Sequence, residues 1–415
     1  MNGLPTNPDV VVVGAGAAGL SAAKSLKNQG FDVVVVEAAA HVGGRCITDA
    51  SIFDIPFDLG GSWLHSAAIN PLARLAEQHG VELHKSDWNW KWVHSNGTPL
   101  TPPQVVNYNQ YQHAMWQAVN DAGAGLKDVT VEQSLPKSPW KDTAKHWVSQ
   151  MLGGDADVTS AADVYRYADA QGDWLVARGL GAFVKGLHSD VDVVLNCPVS
   201  KIDYSGAGVR VVTTQGTIAA KCVVLTVSTG VLAAENIEFV PRLPTPKVDA
   251  LHKLPVGLLN KVGLDFDAKW QEAYQGQTAD YMNGEGEFCT FLFGFYDTNL
   301  AVGFVAGSFA DQLEKQGASA ATDFCLEGLQ AIFGSDITKH IRRTTETAWR
   351  SNANTLGSYS YAVPGGTDAR ATLAGTLDDR VYFAGEATMV DAQATVHGAY
   401  LSGIEVAKKI AATHR

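Results

Sequence analysis

The 415-residue sequence has few cysteines, and no two of them are spaced as a metal or redox pair. None stands in a CxxC motif or at a zinc spacing: Cys46, Cys197, Cys222, Cys289 and Cys325. A disulfide framework and a structural metal are therefore not expected. We expect reduced thiols, as in a cytoplasmic protein.

Long apolar runs and positive charge are also scarce. No run reaches the roughly 18–20 residues that span a membrane, and MNGLPTNPDV lacks the features of a signal peptide. The chain carries 31 basic and 43 acidic residues, a net charge of −12. This balance argues against nucleic acid or an anionic membrane as partner and suits a cationic substrate.

The first forty residues contain a complete βαβ unit. A short valine strand meets GAGAAG, in which Gly14, Gly16 and Gly19 have GxGxxG spacing, and a helix and the strand 33–36 follow before Glu37. The glycines permit a tight turn, close approach of a pyrophosphate and helix packing. Glu37 stands where such units bind a ribose hydroxyl. The pattern predicts a bound dinucleotide.

Two further glycine pairs follow this unit. In Gly43-Gly44-Arg45, backbone N–H groups and a cation suit a pyrophosphate and an isoalloxazine; the alternative is a loop with a surface arginine.

In FDLGGSWLH, residues 57–65, two adjacent glycines weaken any regular element. They indicate a flat group lying close to the backbone, with His65 beside it. Alternatively, His65 is a hydrogen-bonded structural histidine.

Segments of different composition alternate along the chain. An apolar content of 46% and a length of 415 residues predict two domains. Strand-rich blocks recur well after the βαβ unit, between a mainly helical segment and a mixed one. We therefore predict a discontinuous dinucleotide-binding domain formed by residues 7–71, 181–245 and 351–415, interleaved with a second domain formed by residues 72–180 and 246–350.

The motifs resemble, in the same order, those of the flavin monoamine oxidase family. The similarity runs from about Asp9 to Ile410 and includes the lysine of GLLNKVGLDF, Trp349, GSYSY and FAGEAT…ATVHGAYLSG. WLH and ATVHGA are most similar to the polyamine oxidases and their histone-demethylase relatives. The resemblance implies an α/β fold: a Rossmann-like FAD-binding domain with an interleaved α+β substrate-binding domain, the amine oxidase fold.

The resemblance also implies the reaction. A hydride passes from an amine C–N unit to FAD, the imine is hydrolysed to an aldehyde, and oxygen becomes hydrogen peroxide. The expected partners are a small-molecule amine and molecular oxygen, with a homodimer possible. The neutral amine reacts, so the rate should rise with pH through a single ionisation.

Several substrates stay open within the family. We favour a polyamine, as spermine, spermidine or an acetylated form, and keep another primary or secondary amine (a monoamine or an alkaloid-derived amine) as the alternative. An L-amino-acid oxidase is disfavoured, because no arginine follows Gly60 and Gly61. A flavin-bearing scaffold without turnover is a different class, against which Lys261 and the intact motifs argue.

By resemblance, four residues are catalytic. Lys261 would orient a water at the flavin and supply positive charge for the reaction with oxygen; on sequence alone it could be an exposed lysine. His65 would face the substrate channel, Tyr359 the substrate face of the ring, and Thr395 replaces the second tyrosine of the monoamine oxidases. Ser358 replaces their flavin-linking cysteine, so FAD should be non-covalent.

The remaining resemblance concerns the cofactor and the channel. Trp349 would lie beside the flavin, and Glu386 would lie near its ribityl or pyrophosphate part. The Val396 N–H would contact the ring, and the backbone of Val199 would contact the adenine. The full expected cofactor set is Gly14, Gly16, Ala17, Ala18, Gly19, Glu37, Gly43, Gly44, Arg45, Gly60, Gly61, Ser62, Trp63, Val199, Trp349, Gly385, Glu386, Thr395 and Val396. Candidate channel carboxylates, none preferred, are Glu77, Glu82, Asp87 and Asp169.

Overall fold

The structure is a computed structural model that describes residues 7–85, 91–95, 98–125, 128–267, 272 and 274–414. Its strands are β1 (Val10–Val13), β2 (Val33–Val36), β3 (Thr48–Asp49), β4 (Phe57–Asp58), β5 (Trp63–Leu64), β6 (Leu83–His84), β7 (Lys91–Ser95), β8 (Thr98–Pro99), β9 (Trp174–Val176), β10 (Val193–Val194), β11 (Val199–Asp203), β12 (Val209–Thr213), β13 (Gly216–Ala220), β14 (Cys222–Leu225), β15 (Glu238–Val240), β16 (Leu259–Phe266), β17 (Gln277–Met282), β18 (Phe288–Phe295), β19 (Leu300–Ala306), β20 (Ile341–Glu346) and β21 (Val381–Phe383).

The α-helices alternate with these strands along the chain. They are α1 (Ala17–Asn28), α2 (Pro71–Gln78), α3 (Pro102–Ala124), α4 (Val131–Ser134), α5 (Lys141–Leu152), α6 (Ala161–Tyr165), α7 (Leu180–Leu187), α8 (Thr229–Ala233), α9 (Thr245–Lys253), α10 (Gly307–Gln316), α11 (Ala320–Phe333), α12 (Ala369–Ala374) and α13 (Val396–His414). Two short 3-10 helices cover Ser335–His340 and Glu386–Thr388.

A five-stranded parallel sheet has the order β10-β2-β1-β14-β21. Both faces of β1 are buried: Val10 and Val12 pack with α1 and α13, and Val11 and Val13 pack toward the sheet β13-β12-β11-β15. Burial on both faces explains the uninterrupted valine run, because apolar and polar residues alternate along a strand only when one of its faces meets water. The Rossmann-like core predicted from the sequence is confirmed.

A seven-stranded mixed sheet has the order β20-β16-β19-β18-β17-β7-β8. One face packs against α10 and α11, and the other against the segment around Phe53, Phe57 and Trp63. Strand β16 is buried over nearly its whole length. Positions 259, 261, 263 and 265 of this strand share one face, and Gly263 on that face leaves room for the edges of the Phe53 and Phe57 rings. This contact brings Lys261 to the segment that follows Phe57.

Some sequence expectations are refined by the structure. The predicted first helix begins at Ala17, inside the GxGxxG motif. Cysteines at all five positions are free and buried. No helix in the described ranges has both the length and the apolarity to cross a membrane. The two-domain boundaries stay a prediction.

Candidate active site

The glycine turn after β1 and the Gly43-Gly44-Arg45 loop pack on each other. Gly43 N donates to Ala15 O at 2.9 Å, and Gly16 and Gly43 form an isolated parallel bridge. The Glu37 carboxylate accepts the amides of Ala15 at 2.7 Å and Ala39 at 2.8 Å. It therefore braces the turn and keeps one lone pair on each oxygen for a further donor.

The first turn of α1 is suited to an anion. No side chain within the described ranges caps it, and the turn carries no acidic residue. The amides that begin the helix at Ala17 and Ala18 therefore present partial positive charge. Gly14 has φ +104°, and a Cβ on Gly19 would overlap the Gly14 carbonyl oxygen. These glycines are required by the turn itself.

Gly60 and Gly61 let three distant segments meet. A Cβ at Gly60 would overlap the Arg45 carbonyl oxygen and lie 3.2 Å from the Trp349 ring. A Cβ at Gly61 would lie 2.6 Å from Val396 Cγ2 at the start of α13. Gly61 N also donates to Arg45 O at 3.1 Å. The adjacent glycines thus bring the backbone against residues that the sequence assigned to the flavin.

Lys261 is only 3% exposed, so its interpretation as an exposed lysine is wrong. Its ammonium donates to Asp58 O at 2.8 Å, Gly60 O at 2.6 Å and Ser62 Oγ at 2.6 Å. Burial lowers the pKa of Lys261 to about 8, against the raising effect of Asp58. All three ammonium protons contact the chain. To hold a water, Lys261 must release one acceptor, and the Ser62 hydroxyl is the one that can rotate.

Trp63 lies close to both Lys261 and His65. The Lys261 Nζ is 5.7 Å from the Trp63 ring centre, and His65 stacks on Trp63 with centroids 6.0 Å apart. His65 Nδ1 hydrogen-bonds Asp173 Oδ1 at 2.8 Å, and the Asp173 side chain is 54% exposed. Asp169 interacts electrostatically with both. His65 therefore connects Trp63 to two carboxylates near the surface.

A buried chain of charges runs from Arg45 into the protein. Glu386 accepts Arg45 Nη1 at 2.8 Å and the Ser360 hydroxyl at 2.6 Å. Ser360 in turn accepts from Arg370 at 2.8 Å, and Arg370 forms two 2.7 Å bonds to Asp163. Burial acts to raise the pKa of Glu386, but Arg45, Arg370 and the hydrogen bonds hold it below its usual range. Glu386 is therefore ionised.

The Glu386 carboxylate already has four donors. Besides Arg45 and the Ser360 hydroxyl, it accepts the amides of Ser360 and Ala394 at 3.1 Å each. This saturation favours a role in fixing Arg45 over the expected direct contact with the cofactor. Close by, the cleft lined by Arg45, Gly385 and Glu386 includes the Thr229 hydroxyl, which is buried and lacks a hydrogen-bond partner in the described part of the chain. This hydroxyl, beside the Arg45–Glu386 pair, is suited to hydrogen-bond a polar group of a bound cofactor such as FAD.

Trp349 and Tyr359 are anchored by hydrogen bonds to backbone carbonyls. Trp349 Nε1 donates to Leu59 O at 3.3 Å, and Tyr359 OH donates to Gln150 O at 2.7 Å. Burial raises the pKa of Tyr359, so the phenol stays neutral. Ser358 exchanges two 2.9 Å hydrogen bonds with Leu259. The hydroxyl that replaces a linking cysteine is therefore engaged by β16.

The last predicted residues lie at the ends of elements. Thr395 Oγ1 accepts Gly398 N at 2.9 Å and donates to Ala392 O at 2.7 Å, so it caps α13. Val199 begins β11, close to Glu37, whose carbonyl accepts Cys197 N at 2.8 Å. Of the channel candidates, Glu77 pairs with Lys85, Glu82 is exposed, Asp169 adjoins His65, and Asp87 lies outside the described residues.

Sequence reasoning missed Asp58, Asp163, Asp173, Ser360 and Arg370. Asp58 and Ser360 lie inside motifs that were already singled out, so their positions carried a signal. Asp173 is 108 residues from His65, and Arg370 is 207 residues from Asp163. No local pattern marks such pairs.

Comparison with known proteins gives concordant matches. The family described as "Flavin containing amine oxidoreductase" matches residues 17–112 and 123–411. "Lysine-specific histone demethylase 1 homolog 1" of Oryza sativa subsp. japonica is 33% identical over 97% of this chain, which spans 52% of that relative. "Polyamine oxidase 4" of the same plant is 29% identical over 96% of this chain and 88% of its own length.

A solved structure agrees on the architecture. A putrescine oxidase variant has a TM-score of 0.80 and 21% identity, covering 99% of this chain and all of its own. At that identity the likeness concerns the fold. The predicted amine oxidase fold is confirmed. The chain spans about half the length of the demethylase relatives and most of the length of the polyamine oxidases.

Proposed function

The chain belongs to the flavin-containing amine oxidoreductase family, and from that membership we propose that it oxidises the C–N bond of an amine, with FAD as cofactor and oxygen as acceptor. The observation that carries the proposal is the fully buried Lys261 bonded to the Gly60 carbonyl. Next to it lie Trp349, Val396 and Arg45. A buried cation beside two glycines, whose backbone a flat ring can approach, suits a redox cofactor. Its positive charge would also favour the reduction of oxygen.

Each part of the site has a separate task. The site would hold FAD, which would supply the acceptor for a hydride from the substrate carbon and the donor of electrons to oxygen. The first-turn amides of α1 and the Arg45 guanidinium would hold its pyrophosphate. The α13 N-terminus, capped by Thr395, would direct partial positive charge at the ring. Trp349 and Tyr359 would exclude water and guide a neutral amine, and Lys261 would supply the charge for oxygen.

We propose a polyamine as the substrate. The carboxylates of Asp169 and Asp173 beside His65 favour a molecule with several ammonium groups, as does the net charge of −12. Two relatives are named polyamine oxidases. Amine oxidation would release an aldehyde and hydrogen peroxide. A cytoplasmic location is part of the proposal, supported by five free, buried cysteines.

The alternative is another primary or secondary amine, such as a monoamine or an alkaloid-derived amine. The 33% identity to a demethylase homologue favours a secondary N-methylamine among these. An L-amino acid is less favoured, because Ser62 and Trp63 follow the glycine pair where an arginine would bind its carboxylate.

Hydrogen peroxide release from the purified FAD protein tests the proposal. The panel contains spermine, spermidine, their N-acetyl forms, putrescine, phenethylamine, an N-methylamine and L-amino acids. We expect polyamines to turn over best, and the Asp173→Asn variant to raise KM for spermine at least several-fold with little effect on phenethylamine. Turnover of a monoamine with inert polyamines would reject the polyamine assignment, and no turnover of any amine would reject the oxidase.

A further inference from the structure

Asp58 lies two residues before Gly60, and its carboxylate is fully buried. Its Oδ2 accepts from Leu180 N at 2.9 Å and from Tyr296 OH at 2.6 Å. Its Oδ1 accepts from Gly181 N at 3.2 Å and from the Thr48 hydroxyl. These four donors come from three separate parts of the chain and occupy the lone pairs that a carboxylate offers.

The donors identify the charge state of Asp58. Thr48 Oγ1 accepts Ala182 N at 2.8 Å, so its own proton is directed at Asp58. Leu180 and Gly181 are the first residues of α7, and a helix N-terminus favours an anion. Burial raises the pKa of Asp58, while Lys261 and the hydrogen bonds lower it. A carboxylate with donors on both oxygens is held ionised.

Lys261 is the cation that interacts electrostatically with this carboxylate, without a direct ion pair to it. It donates to the backbone oxygen of Asp58 itself, and its other two donors reach Gly60 O and Ser62 Oγ. Three acceptors for three N–H groups match an ammonium. A buried ammonium without an opposite charge loses its proton, because desolvation disfavours the charged form.

We propose that Asp58 is the counter-charge that keeps Lys261 protonated at the cofactor site, and that it is thereby a positioning residue for the reaction with oxygen. The proposal rests on the proposed function, in which Lys261 serves that step. Two electrons and two protons must pass from the reduced cofactor to O2 to give hydrogen peroxide. Negative charge builds on oxygen before the protons arrive, and a nearby ammonium stabilises it.

Other titratable groups near the pair stay neutral. Cys46 faces Lys261, and burial raises the pKa of its thiol. Tyr296 faces Asp58, and burial together with Asp58 raises the pKa of its phenol well above the usual value. Phe57, Trp63 and Phe295 supply the remaining rings around Nζ. Within the described residues, the charge of Lys261 is thus tied to Asp58.

The test is the pH dependence of oxygen reactivity in chemically reduced holoenzyme. Dithionite-reduced protein is mixed with oxygen in a stopped-flow instrument between pH 6 and 10. In the wild type the rate should fall as pH rises through about 8, where Lys261 loses its proton. In the Asp58→Asn variant the midpoint should move down by about one pH unit or more. The pH-dependent absorbance of the oxidised flavin gives a second, activity-free midpoint that should move equally.

Tyr296→Phe is the matched control. It removes one donor from Asp58 and disturbs the same packing, but keeps the carboxylate charge. Its midpoints should stay near those of the wild type. An unshifted Asp58→Asn midpoint, or equal shifts in both variants, would overturn the proposal and leave Asp58 a packing residue.

A folding failure also decides the question. If Asp58→Asn does not yield folded flavoprotein, the double variant Asp58→Asn/Lys261→Met should, because both charges are then gone. Failure of the double variant as well would overturn the proposal. Because dithionite replaces the amine, loss of the proposed function would appear as absent amine turnover with the oxygen result intact.

Discussion

Replacing Arg370 with methionine would remove the cation from a carboxylate that has almost no contact with water. Arg370 is 1% exposed and Asp163 4% exposed, and two 2.7 Å hydrogen bonds join them. Breaking such a pair leaves an uncompensated buried charge, which costs about 3–5 kcal/mol. The folding equilibrium constant should therefore fall by a factor of roughly 200 to 5,000. Arg370 reaches Glu386 through Ser360, so FAD affinity should fall as well.

Urea denaturation of the FAD-saturated protein measures the free energy of unfolding. Arg166→Met is the matched control: its ion pair with Asp368 at 3.2 Å joins the same two segments, but the Asp368 side chain is 89% exposed. That pair should contribute less than about 1 kcal/mol. The double variant Arg370→Met/Asp163→Asn should recover part of the loss. The reasoning is refuted if Arg370→Met costs no more than Arg166→Met, or if the double variant is worse than the single one.

The other predictions concern the site. Lys261→Met should slow the reaction of the reduced enzyme with oxygen at least tenfold while FAD is retained; an unchanged stopped-flow rate would remove Lys261 from that step. Because the pKa of Lys261 is about 8 in the folded chain and 10.5 ordinarily, the unfolded chain binds more protons between these values. Wild-type stability should thus rise from pH 8 to 10 by about 2–3 kcal/mol relative to Lys261→Met; parallel urea curves at both pH values would contradict the burial argument. Gly61→Val should weaken FAD binding at least tenfold in equilibrium dialysis, since its Cβ alone comes within 2.6 Å of Val396, whereas Gly206→Ala, with open space around it, should not. Ala394 has φ +61°, so Ala394→Gly should stabilise the protein by up to about 1 kcal/mol; a lower unfolding midpoint would show that the strain is absent.

Local constraints were readable from the sequence. The GxGxxG turn, Glu37 and the two later glycine pairs were identified because each depends on neighbours within a few residues: a turn with positive φ, a helix N-terminus or a close backbone approach. These features determine where a dinucleotide domain begins, and the order of the motifs indicated the family.

The tertiary structure decided the state of the charged and polar side chains. From the sequence alone, Lys261 could be an exposed lysine. In the structure, residues 58–62, about 200 positions away, surround its ammonium. Glu386 was identified, but its saturation by Arg45 and Ser360 was not, and Asp163 gave no signal at all. The physical reason is that the free energy of a buried charge depends on which donors and counter-charges surround it. Those partners come from segments that meet only when both sheets are packed, so no stretch of sequence contains that information by itself.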